Sequence, residues 1–127
     1  MRIVVDTNRY RDFCVGVPEA VERLRKATHI MVPFVTLAEL RAGFLAGTEA
    51  GSNARVLAAF LIRPRVHVLW PDEDTTHHYA RIWIQLRRQC TPIPTNDLWI
   101  AALAVQHNLA LYSRDMHFDH IGQLLRA

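Results

Sequence analysis

Residues Arg2–Val5 carry three consecutive β-branched apolar side chains, Ile3, Val4 and Val5, and then stop at an acid, Asp6. A run that is apolar on both sides of the pleat is the pattern of a strand covered on both faces, and such a strand belongs to a sheet with helices above and below it. Runs of the same kind recur at residues 29–32, 66–69 and 109–112, with a weaker fifth near Leu124. Helical patterns separate them. PEAVERLRKA, from Pro18, places proline at the first helical position, acids early and bases late, with Ala20, Val21, Leu24 and Ala27 on one side. Thr36-Leu37-Ala38-Glu39 matches a capping box, and its helix is expected to continue through Leu40, Phe44 and Leu45 to Gly47 as a core stripe. Further helices are expected over 52–62, from the acid-rich entrance at Asp72 to Cys90, and from Pro94 to about Asn108. The alternation predicts an α/β domain with a mainly parallel sheet of four to five strands.

The length of 127 residues and a hydrophobic fraction of 50% suit one domain, 1–127, with a substantial core. No apolar stretch approaches the roughly 18 residues of a membrane span. Only Ile3, Val4 and Val5 precede the first acid, too little for a signal peptide, so a cytoplasmic setting is expected. Cys14 and Cys90 have no paired spacing and read as buried thiols. The formal charge is +3, and every basic residue except Lys26 is an arginine. That permits an anionic partner without requiring one.

Four acids stand out by position. Asp6 and Asp115 follow the first and fourth runs, which places both at the carboxyl rim of the sheet. Open parallel sheets bind their ligands at that rim, where strand order reverses. Glu39 and Asp97 are each expected in the first turn of a helix, and a helix that follows a strand starts on the same rim. Taken singly, each acid has a local explanation: a cap for Asp6, the capping box for Glu39, the helix dipole for Asp97, a loop for Asp115. Together they form an all-oxygen cage suited to Mg²⁺ or Mn²⁺ and to metal-assisted phosphodiester hydrolysis. His117 and His120 beside Asp115 suggest a transition-metal site only if a helix forms there, and the hard acid ligands argue against it. Arg9, Arg11, Arg41 and Arg114 flank the acids and are candidates for contacts with substrate phosphates. Trp70, Trp83 and Trp99 read as core or interface.

VVDTN at the amino terminus, TLAEL after the second run, IPTNDLWIAALA and LYSRDMHFDHI are together similar to the PIN-domain ribonucleases, most closely the VapC-type toxins of bacterial toxin-antitoxin pairs. The likeness spans nearly the whole chain, with NDLWIAA and the SRD-x-HF pattern the most specific parts. It implies a three-layer α/β/α PIN-like fold and a Mg²⁺- or Mn²⁺-dependent endoribonuclease. It also implies a homodimer or toxin-antitoxin hetero-oligomer, with a small antitoxin covering the active-site groove. The family's acidic metal site falls on Asp6, Glu39, Asp97 and Asp115, its hydroxyl position on Ser113, and Asn8 is placed to support the first carboxylate. Arg9-Tyr10-Arg11 departs from the smaller or apolar residues of many relatives.

Two other readings compete. A phosphoacceptor receiver module needs an acidic pair after the first strand, an acceptor aspartate after a central strand and a late lysine. Here Asp6 is followed by Thr7, the third run ends in Leu69-Trp70-Pro71, and Lys26 is the only lysine. A catalytically silent PIN-like binding or scaffold protein is the stronger alternative, opposed by the presence of all four acids.

Overall fold

The run Ile3-Val4-Val5 becomes the inner part of β1 (Arg2–Val5), and all three side chains are fully buried. A computed structural model covers residues 1–127. After β1 come α1 (Thr7–Cys14), α2 (Pro18–Lys26), β2 (His29–Pro33), α3 (Phe34–Ala46), α4 (Ala50–Leu61), β3 (Val66–Leu69), α5 (Glu73–Arg88), α6 (Thr95–Gln106), β4 (Ala110–Tyr112) and a 3₁₀ turn at Met116–His120. The strands are all parallel, in the order β3-β2-β1-β4. The chain winds from β1 through β2 to β3 on one side and then crosses to β4 on the other, so the order reverses between β1 and β4. No helix is long and apolar enough to cross a membrane.

Alternation along β1 assigns its side chains to two cores. Val4 packs with Leu111 of β4, Ile82 and Leu86 of α5 and the buried side of α6. Ile3 and Val5 face the opposite layer with Tyr112, Tyr10 of α1, Leu24 of α2 and Leu57 and Phe60 of α4. The result is the expected α/β/α sandwich. Residues Leu98 and Ile100 to Ala104 of α6 are all buried, as expected of a helix that is apolar on nearly every side. Its end is set by a Schellman arrangement in which Leu109 N–H donates to Ala104 O at 2.9 Å and Asn108 N–H donates to Val105 O at 3.3 Å. Asn108 takes the left-handed conformation this requires, with φ 55°.

Several local expectations are corrected. Helix α3 starts at Phe34, directly after Pro33, and no capping box forms at Thr36. The Thr36 hydroxyl is buried and donates instead to Val5 O at 3.3 Å, tying α3 to the end of β1. Glu39 therefore lies in the second turn, with its carboxylate released from capping. Helix α4 begins two residues earlier than expected, at Ala50. Val21 and Leu45, read as core-facing, are 37% and 82% exposed because the apolar stripes of α2 and α3 extend past the layers they cover. The segment near Leu124 forms no fifth strand and makes only an isolated parallel bridge, Leu111 with Arg126. Trp99 packs against Tyr79 and Phe34, whereas Trp70 lies on the surface over Phe34 and Trp83 lies beneath Arg87.

Both cysteines are exposed, not buried. Cys14 is the last residue of α1, a helix that buries only Tyr10. Cys90 sits just past α5 at φ 59°, where Thr91 N–H donates to Leu86 O at 2.9 Å and Cys90 N–H to Arg87 O at 3.1 Å. This is the same Schellman geometry, with a side chain where glycine is favoured. A left-handed conformation costs a non-glycine residue about 1–2 kcal/mol, partly offset by the greater unfolded-state entropy of glycine. Cys90→Gly is therefore expected to stabilise the protein by about 0.5–1 kcal/mol, read as a higher midpoint in urea with an unchanged m-value. A lower midpoint would contradict this account of the helix end.

Candidate metal centre

Pairing of Val5 with Tyr112 brings the first residues beyond β1 and β4 together in the crevice where strand order reverses. Asp6 is 5% exposed there. Its Oδ1 accepts the Thr7 amide at 2.8 Å, and its Oδ2 accepts the Ser113 hydroxyl at 2.6 Å and the Asn8 amide nitrogen at 3.3 Å. The Ser113 oxygen in turn accepts the Asp115 amide at 3.0 Å, and Asn8 Oδ1 accepts the Arg114 amide at 3.1 Å. Asn8 and Ser113 thus both hydrogen-bond the Asp6 carboxylate. From α3, Glu39 Oε1 accepts the Thr7 hydroxyl at 2.8 Å.

Asp97 is the third residue of α6, and its side chain is 14% exposed. The amino-terminal half of α6 points it towards Asp115, and between these two lies a residue that the sequence reading set aside. His117 Nδ1 is 2.9 Å from Asp97 Oδ2 and 3.0 Å from Asp115 Oδ1. The 3₁₀ turn places it there, because Asp115 Oδ1 also accepts the His117 backbone amide at 2.9 Å. Asp97, Asp115 and His117 each offer a ligand atom, and these atoms lie within 4.8 Å of one another. The readable signal was the Asp-x-His spacing of an Asx turn, in which a carboxylate takes the amide two residues on. A second missed residue is Asp12, which holds Arg114 through Nε at 2.8 Å and Nη2 at 3.0 Å and also meets Arg9 at 3.4 Å. Arg9 is further occupied by Glu19 and by the face of Tyr112, 4.6 Å from its guanidinium. Arg11 and Arg41 make no ion pair with the acids; Arg11 lines a groove with Tyr10 and Phe44, and Arg41 one with Phe44 and Leu45.

The donor chemistry fits a divalent cation. No arginine or lysine pairs with Asp6, Glu39, Asp97 or Asp115; His117 is the one basic side chain in ion-pair contact with them. Burial raises the pKa of Asp6, opposed by its Ser113 and Thr7 hydrogen bonds and reinforced by repulsion from Glu39 and Asp115. Burial likewise raises Asp97, with Asp115 and Asp6 adding repulsion against the His117 hydrogen bond. Carboxylates that repel one another and have oxygens left unpaired by cationic side chains form a hard site awaiting positive charge.

A family model described as PIN domain matches residues 3–124. The chain belongs to the PIN domain family. Its PIN relatives include "Ribonuclease VapC1" of Haemophilus influenzae strain R2866, 32% identical over 109 residues that make up 85% of this chain and 80% of that protein. "Ribonuclease VapC4" of Mycobacterium tuberculosis is 37% identical over 84 residues, 66% of this chain and 65% of that protein. Among solved structures, VapBC-1 from nontypeable Haemophilus influenzae superimposes with a TM-score of 0.87 at 29% identity, covering 100% of this chain and 97% of that one.

The pKa values of Asp6, Asp97 and His117 are displaced in one direction. His117 is raised, first by its hydrogen bond to Asp97, against an opposing effect of burial, and further by the charge of Asp115. Asp6, Asp97 and His117 thus all hold protons more tightly folded than unfolded. Their stabilisation is complete below the ordinary values of 3.8 for aspartate and 6.5 for histidine and is lost as pH rises through the folded values. Asp12, Glu22 and Asp72 are lowered, so their contributions are already complete above the ordinary carboxylate range. In EDTA, the melting temperature is expected to fall as the pH is raised past the ordinary histidine value of 6.5, more steeply in the wild type than in Asp97→Asn. Equal slopes would reject the assignment of this pH dependence to the carboxylate cluster.

Proposed function

We propose that this chain is a metal-dependent endoribonuclease, the toxin of a type II toxin-antitoxin pair, acting in the cytoplasm as one domain over residues 1–127. The reading is supported by the placement of Asp6 and Asp115 just past β1 and β4 of a PIN fold, with Asp97 and His117 gathered on Asp115 and Glu39 close enough to repel Asp6, and with no arginine or lysine paired to the acids. The names of the relatives, ribonucleases of the VapC type, support the activity.

In this reading Asp6, Asp97 and Asp115 hold Mg²⁺ or Mn²⁺, and Glu39 completes the cage or orients the water. Such an ion, when bound, supplies Lewis acidity towards a phosphoryl oxygen and lowers the pKa of water. The chain itself supplies alignment. Ser113, Asn8 and the Thr7 amide fix both oxygens of Asp6, and the Thr7 hydroxyl holds one oxygen of Glu39, leaving Oε2 free to accept a proton from the attacking water. In-line attack then breaks the bond to the 3′ oxygen, leaving 5′-phosphate and 3′-hydroxyl ends. Arg41 and Arg114 are the preferred contacts for RNA phosphates on either side of the cut, with Arg11 further along the groove. Arg9, whose side chain is 15% exposed and ion-paired, serves mainly to brace α1.

The partner surface we propose for the antitoxin is the groove between α1, α3 and α4, lined by Tyr10, Val15, Phe44 and Val56, with Leu45 exposed nearby. A homodimer, or a toxin-antitoxin hetero-oligomer, is the corresponding assembly.

Asp97→Asn is expected to lower the RNA cleavage rate at least about 100-fold while far-UV circular dichroism is unchanged. Expression of the wild type in a bacterium is expected to arrest growth, with relief by the product of an adjacent small reading frame and no arrest by Asp6→Asn. Wild-type cleavage by Asp97→Asn would overturn the site assignment, and absence of cleavage by the wild type with either ion would favour the silent scaffold.

A further inference from the structure

His117 is held more tightly than a solvent-facing histidine needs to be. Its ring nitrogen Nδ1, not merely its edge, is directed between two carboxylates, 2.9 Å from Asp97 Oδ2 and 3.0 Å from Asp115 Oδ1. Its backbone amide is fixed by the same Asp115 oxygen that meets the ring. Phe118, the next residue, is buried in the core beneath α6 and anchors the turn. The ring therefore reaches the centre of the carboxylate cluster through a short, pinned segment. Nearly half of the side chain is exposed, so the opposite nitrogen, Nε2, can carry the ring hydrogen and donate it to water. In the metal-free protein Nδ1 shares its hydrogen with these carboxylates, and on coordination it would give that hydrogen up, leaving its lone pair directed to the point on which Asp97 and Asp115 converge.

We propose that His117 Nδ1 is a direct ligand of the divalent ion, which makes this a mixed carboxylate-imidazole site that prefers Mn²⁺ over Mg²⁺. The inference rests on the metal-dependent reading above and specifies it. Three donors within 4.8 Å of one another, two oxygens and one nitrogen, suit one coordination sphere after small rotamer adjustments. Mg²⁺ is bound through oxygen ligands and retains its waters, so an imidazole adds little to its affinity. Mn²⁺ accepts carboxylate and imidazole together more readily, and Co²⁺ and Zn²⁺ more readily still. Two of these three donors are carboxylate oxygens, which keeps the set hard and favours Mn²⁺ over the softer ions. His120, exposed in the same 3₁₀ turn, makes no contact with the carboxylates and provides an internal control.

The alternative role is positional: His117 hydrogen-bonds the carboxylates and is never coordinated. Activity alone does not separate the two roles, because both predict a weaker enzyme on substitution. Pulsed electron paramagnetic resonance of the Mn²⁺-loaded protein does separate them, since a directly bound imidazole nitrogen produces ¹⁴N modulation. The wild type and His120→Gln are expected to show that modulation, and His117→Gln to lose it while still binding Mn²⁺. In competition titrations, His117→Gln is expected to reduce the Mn²⁺ to Mg²⁺ affinity ratio about tenfold or more, the order of effect seen when even outer partners of a metal site are removed. Tight Mn²⁺ binding without ¹⁴N modulation in the wild type would overturn the inference and leave the carboxylate site standing. Modulation that persists in His117→Gln, or an unchanged affinity ratio, would also overturn it. Failure of the wild type to bind Mn²⁺ at all would remove both the ligand role and the metal-dependent reading.

Discussion

The hydrogen bond from Ser113 to Asp6, 2.6 Å long and spanning 107 positions of the chain, is the contact on which the rest of the rim depends. It exists because β4 returns to pair with β1, register Val5 to Tyr112, after the chain has completed β2 and β3 on the other side. That single crossover creates the crevice and places two strand ends side by side roughly 4.8 Å apart. The Ser113 hydroxyl donates to Asp6 and accepts from the Asp115 amide, so one small side chain sets the spacing of two carboxylates. Asn8 closes the same ring by reaching Asp6, Ser113 and the Arg114 amide.

The elements that were legible in the sequence are those whose signal is local or repeats along the chain. The both-face burial of β1 follows from three successive β-branched residues, and Asp97 in the first turn of α6 follows from its distance to Pro94. What was not legible depended on a partner far away in sequence. Thr36 carries a capping-box pattern, yet its hydroxyl serves Val5 across the sheet edge, and tertiary demand overrides the local cap. Glu39 gains its place in the cluster for that reason. His117 was dismissed because an i, i+3 histidine pair requires a helix, whereas the structure uses an Asx turn at Asp115 and engages only one of the two histidines. Cys90 looked like a core thiol by residue type, and nothing within a few residues revealed that it would occupy the left-handed position after α5.

The distribution of charge gives the site its character. Arginines are abundant in this chain, yet near the rim they are paired elsewhere: Asp12 takes both Arg114 and Arg9, and Glu19 takes a second nitrogen of Arg9. Asp12 therefore does for the scaffold what a salt bridge can do well, fixing α1 against the loop after β4 with a bidentate, partly sheltered contact. The same contact keeps the Arg114 guanidinium turned towards Asp12, although that residue lies between Ser113 and Asp115 in sequence. Had Arg114 swung onto Asp115, the cluster would have been neutralised by the protein's own side chain, and a divalent ion would have had to displace a charge already paired. Satisfying Arg114 at Asp12 leaves Asp97 and Asp115 with only His117 as an ion-pair partner and Asp6 and Glu39 with none, a deficit of positive charge held in place by the fold.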